Sequence, residues 1–365
     1  MSASSAREPL EAIMLVGGKG TRLRPLTLSV PKPLLPTAGV PFLAHMLARA
    51  AECGVTRVVL ATSYRSEMFA ECFGDEAFGL EMDYVHEEEP LGTGGGIRNA
   101  AARLRGAPDD PVVVLNSDVL SGHDLPAQLD LHRKADAAVT LHLVEVDDPA
   151  RFGCVPTDDT GRVTAFLEKA PHPVTNQINA GCYVFARRTI DEIPPGQVLS
   201  VERETFPALI ESGQTVMGYV DNAYFLDVGT PESFVRGSCD LVLGHLSSPA
   251  LTGRTQAGAL LLPGCVVDES ATIDGGSTVG TGTVVGPGAV VTGSVLFDGV
   301  TVAARAQIRD SVLGRGVKVD SDTVLDGVVV GDGASIAAGN ELRAGVRVWP
   351  GVELGPVSIR FSTDA

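Results

Sequence analysis

The 365 residues contain no apolar run of the roughly 18 residues needed to cross a bilayer, and no cysteine pair in a CxxC spacing. The six cysteines (Cys53, Cys72, Cys154, Cys182, Cys239, Cys265) are scattered, which favours free thiols in a reducing cytoplasm over a disulfide framework or a zinc site. Positive charge is also scarce. The 28 Lys plus Arg against 45 Asp plus Glu leave a formal net charge of −17. Such a field excludes non-specific binding to nucleic acid or to an anionic membrane. If the substrates are anions, the site must supply its own cations or a metal. The first residues, MSASSAREPL, show neither a basic n-region nor an A-x-A cleavage site, so no secretory signal is read there.

Glycine, by contrast, is abundant at 42 residues, and its distribution separates two regions. Up to about residue 243, short β-branched runs at 12–16, 58–61, 112–115 and 139–144 alternate with helical spacing at 41–53 and 97–104. That alternation predicts an α/β fold, Rossmann-like, with a mainly parallel sheet covered on both faces and ligands at the carboxyl ends of its strands. Residues 244–258, rich in Ser, Gly, Pro and Thr, read as a linker. Beyond them the period becomes six. Ile273, Val279, Val285 and Val291 form one series, and Val284, Val290, Leu296, Val302 and Ile308 another. After a phase slip, Val324, Val330, Ile336, Leu342 and Val348 keep the spacing. Six residues match one side of a triangular β-solenoid with an apolar residue pointing to the axis and glycines at the corners. The expected domains are therefore 1–243, a linker at 244–258, and a solenoid at 259–365.

After the first strand comes Leu15-Val16-Gly17-Gly18-Lys19-Gly20-Thr21-Arg22-Leu23-Arg24-Pro25. Glycines let backbone N–H groups approach phosphate oxygens, and Lys19, Arg22 and Arg24 add positive charge. The Walker spacing is absent, and Leu23 stands where a dinucleotide loop needs its third glycine. Asp118 directly follows a buried strand, and Asp227 follows Tyr224-Phe225. Two carboxylates converging on one point can hold Mg²⁺ beside substrate phosphates, whereas Asp118 alone also suits a turn after a strand. Glu87-Glu88-Glu89 reads as a solvated face, and Leu91-Gly92-Thr93-Gly94-Gly95-Gly96 as the lead into a helix starting near Ile97.

These stretches, with Pro31-Lys32-Pro33-Leu34, Phe166-Leu167-Glu168-Lys169, Ile178-Asn179-Ala180-Gly181 and Phe225-Leu226-Asp227-Val228-Gly229-Thr230, resemble the sugar-1-phosphate nucleotidylyltransferases. Within that family the likeness is to bacterial mannose-1-phosphate guanylyltransferases. It extends over essentially the whole chain, and the tail is similar to the left-handed parallel β-helix of hexapeptide-repeat proteins. The resemblance implies attack by a sugar 1-phosphate on the α-phosphorus of a nucleoside triphosphate, with release of pyrophosphate. It implies GTP and mannose 1-phosphate as substrates and Mg²⁺ as cofactor.

The resemblance also implies roles for individual residues. Arg22, Lys32 and Asp118 would be catalytic. Leu15, Gly17, Gly18, Lys19, Gly20, Thr21, Arg22, Gly92, Thr93 and Asn116 would bind the nucleotide. Gly153, Glu168, Lys169 and Asn179 would bind the sugar phosphate, and Asp118 and Asp227 the metal. Ser117 stands where the family usually has Gly, and Phe225 where it often has Trp. Both leave the carboxylates in place but keep open another hexose or a cyclitol 1-phosphate as acceptor. A non-catalytic nucleotide-sugar-sensing subunit is a further alternative. Acyl transfer on the solenoid is disfavoured, because no histidine follows His245. Homo-oligomerisation through the stacked coils is expected instead.

Overall fold

A computed structural model describes residues 9–167, 173–251, 254–256 and 258–360. The chain divides into two compact units, one of residues 9–18 with 46–225 and one of residues 19–45 with 226–360.

The first unit is built on an eight-stranded sheet. Leu10–Leu15 lies centrally, parallel to Val55–Thr62 on one side and to Pro111–Asn116 on the other. Both neighbours are near-continuous apolar runs, as a strand covered on both faces requires. Two strands depart from the parallel expectation: the edge strand Glu76–Ala77 runs antiparallel to Leu80–His86, and a longer one lies inside the sheet. Gln177–Ala186 runs antiparallel to both Pro111–Asn116 and Val139–Glu145. The core joins the apolar faces of these strands, including Ile13, Val114, Leu141 and Phe185, to Ile97 and Phe206. Because the chain adds strands first on the Val55–Thr62 side of Leu10–Leu15 and then on the Pro111–Asn116 side, the carboxyl end of Leu10–Leu15 is the switch point where such sheets open a crevice.

The helix expected near Ile97 starts earlier, at Gly92, and runs to Ala101. Helix propensity argues against five residues of which four are glycine, but packing overrides it. A Cβ on Gly95 would stand 2.3 Å from the Gln197 carbonyl oxygen, and one on Gly94 3.2 Å from Leu199. The helix approaches residues 197–199 too closely for side chains. Glu87 is likewise not part of a solvated face. It is buried, its carboxylate accepts from the Leu91 N–H at 3.2 Å, and burial raises its pKa.

In the second unit, three parallel sheets form the sides of the β-helix. Thr278 pairs with Val295, Val295 with Val312 and Val312 with Val329, so each central coil takes 17 residues rather than three full hexads. The short side falls between Val291 and Leu296, Ile308 and Leu313, and Leu325 and Val330, all of them buried. The single phase slip read from the sequence is thus three slips. Val284 faces outward at 43% exposure, and Val290 and Val324 are only half-buried, so these three leave the inward series. Each shortened corner is closed by a serine. The Ser277 hydroxyl accepts from Ser294 N–H, Ser294 from Ser311 N–H, and Ser311 from Val328 N–H, at 3.0–3.1 Å. Part of the stretch read as a linker is ordered as well: Arg254–Gln256 pairs antiparallel with Ala259–Leu261.

Candidate active site

Within the first unit, the carboxyl ends of Leu10–Leu15 and Pro111–Asn116 gather several of the expected residues. The Ser63 hydroxyl donates to the Gly17 carbonyl at 2.7 Å, and a Cβ on Gly17 would come within 2.9 Å of that oxygen. Ser63 therefore pins the loop at a point where a side chain on residue 17 would crowd its hydroxyl. The sequence hint for it was its position just past the strand Val55–Thr62. Ser117 is buried and its hydroxyl donates to the Leu15 carbonyl at 2.5 Å, so it ties two strand ends together.

Gly181 has φ +74° and lies against Asn116, where a Cβ would be 3.1 Å from the amide nitrogen. Asn116 Oδ1 is buried and has no hydrogen-bond partner. Asn179 donates to the Tyr183 hydroxyl at 2.8 Å, and Asn116 also hydrogen-bonds that hydroxyl. Tyr183 in turn donates to Glu202 at 3.4 Å, while Thr93 and Ser200 donate to the other oxygen of Glu202 at 2.9 and 2.7 Å. Burial holds the Tyr183 phenol well above its ordinary pKa, so it remains a donor. Asn116, Asn179 and Thr93 are thus joined through two residues that sequence reasoning missed. Glu202 sits in a five-residue π-helix, Val201–Thr205, a form that concentrates at functional sites. Gly153 is buried at φ +82°. Glu168 and Lys169 lie outside the described residues.

The second unit brings together the rest. Gly20 has φ +57°, and a Cβ there would meet the Lys32 Cβ at 2.9 Å. The Thr27 hydroxyl holds the Gly20 carbonyl at 2.9 Å. The stem of Lys32 therefore packs on the glycine of the cation-bearing loop, and Lys32 is 9% exposed. Thr21 and Arg22 lie in the one-turn helix Thr21–Leu23. Arg22 and Asp227 flank Gly229. A Cβ on that glycine would stand 2.7 Å from Arg22 Nη2 and 2.8 Å from Asp227 Oδ1. Among the described residues no three His, Cys, Asp or Glu side chains gather as a metal site. The Asp227 carboxylate is of the kind that holds a divalent ion completed by substrate phosphates and water, and the Arg22 guanidinium beside Gly229 is suited to phosphate rather than to the metal.

Residues 11–242 match the family model described as "Nucleotidyl transferase", and residues 256–354 match "GMPPB C-terminal domain". The chain belongs to the nucleotidyl transferase family. Within it, the chain is 54% identical to the mannose-1-phosphate guanylyltransferase of Mycobacterium tuberculosis, over 98% of this chain and 99% of that one. The mannose-1-phosphate guanylyltransferase catalytic subunit beta of Drosophila melanogaster is 39% identical, over 86% and 87% of the respective chains. Among solved structures, HddC from Yersinia pseudotuberculosis aligns with a TM-score of 0.54 at 29% identity, covering 63% of this chain and 98% of that one. The structure of HddC complexed with GMP-PN aligns with the same TM-score of 0.54 at 29% identity. No helix among the described residues is long and apolar enough to cross a membrane.

Proposed function

We propose that the chain transfers a guanylyl group from GTP to mannose 1-phosphate, forming GDP-mannose and releasing pyrophosphate. The observation that carries this reading is the 54% identity to the M. tuberculosis mannose-1-phosphate guanylyltransferase across both chains. The site chemistry agrees with it. Two anions must be brought together by a protein of net charge −17, so neutralisation has to be local.

Backbone groups from Leu15 to Thr21, with Lys19, would cradle the triphosphate. Gly92 and Thr93 would face the base, and the unpartnered Asn116 Oδ1 would accept from a nucleotide hydroxyl. Arg22 and Lys32 would neutralise charge growing on the α-phosphoryl oxygens and the departing pyrophosphate. Gly153, Glu168, Lys169 and Asn179 would hold the sugar phosphate. Asp118 and Asp227 would hold Mg²⁺, which when bound draws negative charge off the phosphates. In this reading residues 1–243 carry catalysis, 244–258 join the halves, and 259–365 assemble copies of a cytoplasmic homo-oligomer. The last strand, Glu353–Leu354, is a sheet edge that supports such assembly.

The test is a matrix of nucleoside triphosphates against sugar 1-phosphates and cyclitol 1-phosphates, scored by pyrophosphate release with and without Mg²⁺. GTP with mannose 1-phosphate is expected to be the best pair. A better acceptor among the other hexose or cyclitol phosphates would replace the substrate assignment. Nucleotide binding with no turnover on any acceptor would reject catalysis.

A further inference from the structure

We propose that the solenoid face carrying Asp332 and Arg347 braces the segment that bears Arg22 and Lys32, and that both are positioning residues for the transfer. The proposal rests on the reading of Arg22 and Lys32 given above.

Residues 19–34 have little means of holding their own shape. They form three one-turn helices, Thr21–Leu23, Leu26–Leu28 and Lys32–Leu34, and join no sheet. Such turns are short and poorly self-supporting. Their position must come from what they rest on. The Ser29 hydroxyl donates to Asp332 Oδ2 at 2.9 Å, across 303 residues of sequence. The Arg347 guanidinium donates to the Arg24 carbonyl at 2.8 Å, across 323 residues.

Asp332 is set up for this second role. Its Oδ1 accepts from the Arg315 N–H at 2.9 Å, one coil earlier. Asp298 does the same for Thr281 at 2.8 Å, so the first oxygen serves the corner of the coil. The second oxygen of Asp332 is the one given to Ser29. Apolar packing holds part of the segment, since Leu23, Leu26 and Leu34 are buried. Beside Leu34, a pocket of about 150 Å³ is lined by Pro36 and Val40 and by Leu262, Leu296 and Phe297. Packing is incomplete at that end, and the two charge-assisted hydrogen bonds fix the segment at Arg24 and Ser29.

The experiment uses the full-length chain with Ser29→Ala, Arg347→Ala, Arg347→Lys and the Ser29→Ala/Arg347→Ala double variant. Pyrophosphate release from GTP and mannose 1-phosphate gives kcat and KM, and hydrogen exchange follows peptides from 19–34. Each alanine variant is expected to lower kcat roughly tenfold, the lower end of the scale of losing one charge-assisted hydrogen bond. KM for mannose 1-phosphate should hold, exchange in 19–34 should quicken, and Arg347→Lys should restore most of kcat. Unchanged exchange overturns the brace, whatever happens to kcat. Faster exchange with unchanged kcat overturns the positioning role. If the unmodified chain turns over no GTP with mannose 1-phosphate, the functional reading fails, while exchange in the same variants still decides the brace.

Discussion

Thr93 and Glu202 are 109 residues apart in sequence, yet the Thr93 hydroxyl donates to the Glu202 carboxylate at 2.9 Å. Thr93 also accepts from the Val201 N–H at 3.0 Å, so the start of the glycine-rich helix and the π-helix hold each other. Glu202→Ala would leave Thr93, Ser200 and Tyr183 without their shared acceptor. The expected loss is about 1–3 kcal/mol of stability. Urea unfolding measures it, and an unchanged midpoint would show that water replaces the carboxylate without penalty.

Gly229 separates the charges of Arg22 and Asp227, and its φ is not in the left-handed region. Gly229→Ala therefore strains no backbone. The added methyl instead pushes on the ends of two flexible side chains, so thermal stability should hardly change. Misplacement on the ångström scale is expected to lower kcat by about tenfold or more. A variant with unaltered kcat would separate the two side chains from the chemistry.

The carboxylate roles are tested by isosteric replacement. Asp118→Asn and Asp227→Asn should each abolish pyrophosphate release while far-ultraviolet circular dichroism stays native. Chelation of divalent ions should do the same to the unmodified chain, and Mg²⁺ should restore it. Full activity of either variant would remove that residue from the metal site.

A buried histidine group predicts sensitivity to acid. His123 and His142 stack with ring centroids 4.0 Å apart, and His132 hydrogen-bonds Thr140 nearby at 3.0 Å. Burial is the main cause lowering their pKa values, to about 3 for His123 and about 4 for His132 and His142. Arg49 opposes protonation of the stacked pair, and Asp221 favours it. The folded state stays neutral while the unfolded chain takes up protons below about pH 6.5. Stability should therefore fall from pH 6.5 towards 4, by up to about 4 kcal/mol per pH unit if all three contribute fully. Denaturant midpoints between pH 7 and 4.5 measure the slope, and His132→Gln should make it shallower. An identical slope in that variant would exclude His132 from the effect.

Much of this was legible in the sequence because the signals were local. The strands 55–62 and 111–116 announce themselves as apolar runs, and the cations of 19–24 sit beside their glycines. What escaped depends on partners far along the chain. The glycines at 92–96 are helical only because residues 197–199 press on them. Glu87 is buried and accepts from the Leu91 N–H, a pairing the run of three glutamates does not announce. Tyr183 and Glu202 carry no motif, and their importance appears only when Asn116, Asn179 and Thr93 are found on the same hydrogen-bond chain. The hexad period was visible, but two valines in a row at 284–285 and 290–291 leave the inward phase open until the coils are stacked.

The serine rungs at 277, 294 and 311 constrain how the tail can change in length. Inserting one residue to restore a full hexad would carry the next amide away from the hydroxyl beneath it, leaving a buried donor without an acceptor. Between Thr278 and Val329, growth or loss keeps these rungs only as a whole module of 17 residues with its own Ser at the corner, whereas the next step, Val329 to Arg347, takes 18. Val328, having no hydroxyl to offer the coil above, marks where that module stops being interchangeable.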